Sequence, residues 1–280
     1  MKKIGKGMAA FVCVIIFATA AMSAYEILPS TLGNVNSTVA SMLGAVLSIV
    51  LILAGLLLSA KIEGKTLADY GISWSKREPK KLLIGLLIGI GAFLMVVIPL
   101  YLLKVYELNT SHHSWEKIVN QLFLFIAVGF LEEYLCRGFI QHHLLRFGPY
   151  TALMLTSIIF SLLHLGNPGI TPLALINIAL AGTLMGSVMY ALNSIHAAVG
   201  VHITWNWIQG AIFGIPVSGT TPSGYFSTTI LSNNQLLTGG DFGVEGSVAC
   251  TIITFLLTVN FLIIALKNRN WGKFAERWDR

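Results

Sequence analysis

Apolar residues run along this chain in long blocks, and polar residues collect in the intervals between them. A helix needs roughly 17 to 25 such residues to cross the hydrocarbon core of a bilayer, where every backbone amide has to bond within its own segment. On that criterion the pattern predicts helices over residues 8–28, 38–60, 82–103, 118–140, 151–166, 171–192, 196–213 and 247–266. The expected fold class is all-α, a polytopic transmembrane bundle of about eight spans. Finding no internal repeat and no low-complexity tract, we read residues 1–280 as a single domain.

Composition agrees. With 55% hydrophobic and 11% charged residues, the chain carries too few charges to coat a soluble domain. The cations are also unevenly placed. Lys2, Lys3 and Lys6 precede the first block; Lys61, Lys65, Lys76, Arg77, Lys80 and Lys81 lie between the second and third; Arg146 follows the fourth; Lys267, Arg269, Lys273, Arg277 and Arg280 follow the last. Lys and Arg in short loops stay cytoplasmic, so an even number of spans with both termini inside satisfies all of these positions. The opposite side keeps Lys104 and Lys117, and the 214–246 loop has neither Lys nor Arg. The net charge of +6 is thus read as contact with anionic lipid, and no nucleic-acid partner is expected. The first block, with Lys2 and Lys3 before it and Ala20 to Ala24 at its end, also has the layout of a secretory signal; an uncleaved first helix is the preferred reading. The expected location is the cell membrane, in a multi-pass arrangement.

Other features have plain structural explanations. Cys13, Cys136 and Cys250 stand singly in three apolar blocks and are expected as small buried residues outside any disulfide. Gly85, Gly89 and Gly91, and Gly182 with Gly186, offer small faces for close helix packing. His112, His113, His142 and His143 are expected in solvated places, and His196 at the start of its helix. The stretch around Leu67 to Gly71 reads as an interfacial or a solvated segment. The Gly-, Ser-, Thr- and Asn-rich stretch 214–246, which includes Gly239 to Gly246, reads as a lid or entrance, with flexible filler as the alternative.

Ionisable residues inside apolar blocks need a reason, because each costs about 2.5 to 3.5 kcal/mol at a helix centre on insertion scales. Glu133 and Arg137 are four apart and share a helical face, whereas Glu132 projects elsewhere and has no neutralising residue within a turn. Its partners have to come from other helices, and His164 and His202 are the candidates. His202 and Asn206 share a face, and Phe160 and His164 repeat the spacing. A carboxylate with two imidazoles and a carboxamide can hold a water, bind a metal or relay protons. Counting 1.5 Å per residue, Glu132 and His202 fall in the cytoplasmic half but His164 nearer the outer face.

Three signatures occur in order: EExxxR at Glu132 to Arg137, FxxxH at Phe160 to His164 and HxxxN at His202 to Asn206. In these the chain resembles the CAAX protease and bacteriocin-processing family of intramembrane peptidases, firmly over residues about 118–213, the motif-bearing core, and more loosely in its layout and in the FGxEG-like stretch before the last helix. The resemblance implies that Glu132 and His164 orient and deprotonate water, that His202 and Asn206 stabilise the oxyanion, and that Glu133, Arg137 and Phe160 support the site. It implies a peptide or membrane-protein substrate, cleaved near the cytoplasmic leaflet, in bacteriocin or signal-peptide processing or self-immunity. No cofactor is required on this reading; zinc is the alternative, with Glu132, His164 and His202 as its ligands. Two other classes compete: a proton-coupled transporter, for which inverted repeats are expected and none is found, and a non-catalytic immunity or scaffold protein.

Overall fold

A computed structural model describes residues 2–33, 35–110, 114–220, 223–268 and 270. His112, His113, Arg269, Lys273, Arg277 and Arg280 lie outside the described residues. Helix α1 (Lys2–Thr31) and α2 (Ser37–Glu63) form a hairpin, followed by α3 (Glu78–Leu102) and strand β1 (Tyr106–Thr110). Helix α4 (Trp115–Glu133) runs on through a π-helical turn (Tyr134–Ile140), α5 (Gln141–Leu144) and a short 3-10 turn (Leu145–Phe147). Then come α6 (Pro149–Leu162), α7 (Pro172–Leu192), α8 (Ile195–Trp207) with a π turn (Ile208–Ile212), strand β2 (Phe226–Ile230), the short α9 (Gln235–Thr238) and α10 (Val248–Lys267).

All eight apolar blocks are helical, and the protein is a polytopic helical bundle. Six helical stretches among the described residues are long and apolar enough to cross a membrane, whereas Pro149–Leu162 is shorter. Local chemistry fixes the ends. Asn36 caps α2 by accepting from the backbone of Thr38 at 2.9 Å, and Gly64 closes it in the left-handed conformation, φ 75°. Gly148, at φ 89°, breaks the chain before Pro149, which starts α6.

Helix α8 is the hub. Every residue from Ile195 to Asn206 is buried, the signature of a helix enclosed on all sides. Helix α3 packs on it through glycines: a Cβ on Gly85 would stand 2.1 Å from the Ala197 carbonyl oxygen, and one on Gly89 2.4 Å from that of Val201. Gly182 and Gly186 are also closely packed, but Gly91 faces open space, so close packing does not explain it. Helix α4 also packs on α8, α7 packs on α6 and α10, and α1 with α2 lies outside α4.

At the end of the bundle that holds the Lys- and Arg-rich connection between α2 and α3, Lys81 Nζ donates to the Asn193 carbonyl oxygen at 3.0 Å. The connection between α2 and α3 is neither solvated nor merely interfacial at its centre, since Tyr70 and Ile72 are each only 2% exposed. Nor are His142 and His143 simply solvated. His142 is buried with Nε2 2.6 Å from Lys65 Nζ, and His143 Nε2 lies 2.7 Å from Glu63. At the opposite end β1 and β2 pair antiparallel with Tyr106 opposite Ile230. This small sheet was not anticipated, because short polar strands leave no apolar alternation to read. The cysteines are free, as expected, with Cys136 and Cys250 buried and Cys13 half-buried.

Candidate active site

Glu132 and Glu133 end the regular part of α4, and the wider π-helical turn begins at the next residue. Such turns often mark functional sites in helices. One turn earlier, Gly129 lets α8 approach closely: a Cβ there would stand 2.7 Å from Ile203 Cγ1. Glu133 thereby reaches across to His202. Its Oε1 accepts from His202 Nδ1 at 3.0 Å and from Arg137 Nη1 at 3.0 Å, and the Glu133 side chain is fully buried.

Arg137 is held from three directions. Besides Glu133 it donates from Nη2 to the Gly182 carbonyl oxygen at 2.9 Å, and its guanidinium lies 4.5 Å from the centre of the Phe160 ring. Phe160 also stands edge-on to His202, with centroids 6.1 Å apart. Its carbonyl oxygen accepts from His164 Nδ1 at 2.8 Å. A carbonyl only accepts, so Nδ1 carries hydrogen there, and in the neutral ring Nε2 is left as the acceptor.

His164 sits in the turn after α6, which ends at Leu162 and so stops short of the expected residue 166. Whatever depth a count along α6 assigns to it, His164 lines the same cavity as Glu132 and His202. Irregular backbone within a membrane protein is tolerated where it lines a cavity.

That cavity has a volume of about 240 Å³ and is lined by Glu132, Phe160, His164, His202 and Asn206. Glu132 Oε2 lies 3.8 Å from His202 Nε2, within ion-pair range but too far for a hydrogen bond, and this oxygen has no hydrogen-bond partner among the described residues. The structure therefore brings the expected residues together as two layers. Glu132, His164, His202 and Asn206 face the cavity, with Glu133 and Arg137 behind His202. No group of three His, Cys, Asp or Glu side chains among the described residues is placed to hold a metal ion.

One lining residue was missed. Glu245, in the turn before α10, faces the same cavity, as do Asn167, Asn177, Ser218 and Thr220. Its Oε2 accepts from Ser218 N at 2.6 Å and from Ser218 Oγ at 3.0 Å. Burial pushes its carboxyl above the ordinary range, against the opposing pull of Ser218, His164 and His202. The signal in the sequence was a Gly-rich stretch holding acids without any Lys or Arg; its 39-residue separation from Asn206 (245 minus 206) gave no spacing to connect them. Asn167, Ser218, Thr220 and Glu245 come from the connections after α6, before β2 and before α10, and Asn177 from α7 itself.

At the basic end a second buried chain runs from Glu78 through His196 to Tyr134: His196 Nδ1 lies 3.0 Å from Glu78 Oε2 and its Nε2 2.9 Å from the Tyr134 hydroxyl. His196 is thus a buried link between α3, α8 and the π turn. It is more than a residue at a helix start.

No curated protein and no solved structure gives a match. Residues 114–208 match the family model described as type II CAAX prenyl endopeptidase Rce1-like. That segment holds all three motifs and the helices that position them. The resemblance read from those motifs is therefore shown over this segment, which spans 95 of the 280 residues.

Proposed function

We propose that the protein is an intramembrane endopeptidase that hydrolyses a peptide bond with a water activated by Glu132 and His164. The observation that carries this reading is the convergence of Glu132, His164, His202 and Asn206, from three separate segments, on one cavity with an apolar wall. Glu132 has an uncommitted oxygen, and the fixed Nδ1 of His164 leaves its Nε2 to accept a proton from the same water. Attack on the carbonyl carbon forms the tetrahedral intermediate, and its oxyanion falls to the side of His202 Nε2 and the Asn206 amide. Preorganised donors in a site walled off from bulk water are strong stabilisers of such charge. Glu133 accepts from Nδ1 of His202 and fixes the ring, so that the imidazolium presents its Nε2–H to the oxyanion, while Arg137 pairs with Glu133. The proton taken from water then passes to the leaving amine as the C–N bond breaks.

The test is to purify wild type, Glu132→Gln and His164→Ala, confirm that all are folded, and follow membrane-associated peptides by mass spectrometry. Wild-type cleavage that falls by about two to four orders of magnitude in both variants is expected. Full processing by both folded variants overturns the assignment. A parallel assay with a strong chelator is expected to leave wild-type cleavage unchanged.

A further inference from the structure

The cavity has two unlike walls. Ile178, Ala181, Leu184 and Met185 of α7 make one apolar, and the other carries Asn167, Ser218 and Glu245. The polar wall is a constructed one. Asn167 Nδ2 donates to the Ser218 carbonyl oxygen at 2.9 Å, Asn177 Nδ2 to that of Glu245 at 2.7 Å, and both Ser218 donors converge on Glu245 Oε2. Four donors are thus spent on holding and aiming one carboxyl group, whose other oxygen, Oε1, has no hydrogen-bond partner among the described residues.

No Lys or Arg lines this cavity. Arg137, the buried cation of the motif core, is committed to Glu133, Gly182 and Phe160. The titratable groups that act on Glu245 are His164, His202 and Cys250, and His202 already serves Glu133. Burial still outweighs these influences and raises its pKa, so the carboxylate is undersupplied with positive charge by the protein itself. A buried carboxylate in that position gains most from a charged N–H donor arriving from outside. Glu132 is brought by α4, which packs on α2 and α8, whereas Glu245 belongs to the turn before α10, which packs on α7 and α3. The two carboxyl groups therefore address different parts of whatever occupies the cavity.

We propose that Glu245 binds a cationic N–H donor of the substrate, a lysine or arginine side chain or a free amino terminus, while a neighbouring apolar side chain lies against α7. This rests on the peptidase reading, which it deepens by naming a substrate class: peptides pairing an apolar residue with a cationic group near the cleaved bond. Glu245 is a specificity residue on this account, separate from the water-activating pair.

The experiment uses the full chain in nanodiscs with the cleavage-deficient Glu132→Gln substitution and a pooled library of apolar peptides. Members differ at a scanned position in carrying lysine, the isosteric norleucine or glutamate, each with a free or an acetylated amino terminus. The lysine or free-terminus members are expected to be retained about tenfold better than their neutral partners, as a charge-assisted hydrogen bond provides. Adding Glu245→Gln is expected to reduce that ratio to within about twofold without loss of the neutral peptides. Loss of preference on acetylation assigns the amino terminus, and loss on norleucine substitution assigns the side chain. Equal retention of charged and neutral members by the Glu132→Gln protein, or a preference that survives Glu245→Gln, overturns the proposal. The first comparison needs no substitution at Glu245, so it holds even if that variant does not fold. Charge-selective binding of peptides that the wild-type protein never cleaves would count against the peptidase reading alone, and cleavage blind to charge would count against this inference alone.

Discussion

Glu133 receives the Nδ1 hydrogen of His202 on the same oxygen that pairs with Arg137, each at 3.0 Å. Helical spacing accounts for the arginine contact, four residues along α4. The histidine comes from α8, and it makes the ion pair part of the site. A structural salt bridge thus becomes the fixture that holds a cavity-facing imidazole.

Glu133→Gln should unfold the protein more readily, by about 3 to 5 kcal/mol, because it leaves the buried Arg137 guanidinium without its counter-charge. Arg137→Lys should fall in the same direction, since an ammonium does not bridge Glu133 and the Gly182 carbonyl in the guanidinium's forked manner or stack on Phe160. Thermal unfolding in detergent measures both. A melting temperature unchanged in either variant would show that the pair contributes nothing.

Glu132→Gln should behave oppositely, with activity lost and the melting temperature kept, because Glu132 Oε2 is bonded to nothing that the fold depends on. Asn206→Ala should lower kcat by about 100- to 1,000-fold with a small change in KM, the pattern of a group that acts in the transition state. A change confined to KM would place Asn206 in substrate binding only.

Glu245 makes the stability depend on pH in a defined direction. Its folded pKa is raised above the ordinary 4.5. A carboxyl shifted upward contributes stability below its unfolded pKa, and that contribution is lost as pH rises through the folded value. Glu245→Gln cannot titrate, so its melting temperature relative to wild type should climb as pH rises above the ordinary 4.5. A difference that stays flat or declines over that range contradicts the raised value.

Glycines of similar appearance in α3 should differ. Gly85→Ala places a Cβ 2.1 Å from the Ala197 carbonyl oxygen and should force α3 from α8, costing about 1 to 3 kcal/mol or more. Gly91→Ala meets open space and should be neutral or stabilise by a few tenths up to about 1 kcal/mol. Equal effects in unfolding measurements would mean that the α3 to α8 contact is looser than described.

The sequence by itself determined the helical class, the positions of the eight apolar blocks, and the pairing of Glu133 with Arg137 as distinct from Glu132. These follow from local quantities, namely block length, the gathering of Lys and Arg and the 3.6-residue period, and they need no knowledge of neighbours. It also supplied the motif residues Phe160, His164, His202 and Asn206, although a count from residue 151 placed His164 nearer the outer face than Glu132 and His202. Tertiary structure decided the rest. It brought His164 to the same cavity as Glu132, joined His202 to Glu133 through the close approach at Gly129, and buried His142, His143 and His196 in specific contacts to varying degrees. It also carried Glu245 into the cavity by folding back a loop whose composition showed only that it was polar. Contacts between residues far apart in sequence depend on how whole helices and loops pack. A one-dimensional pattern specifies what each segment is, but not what it meets.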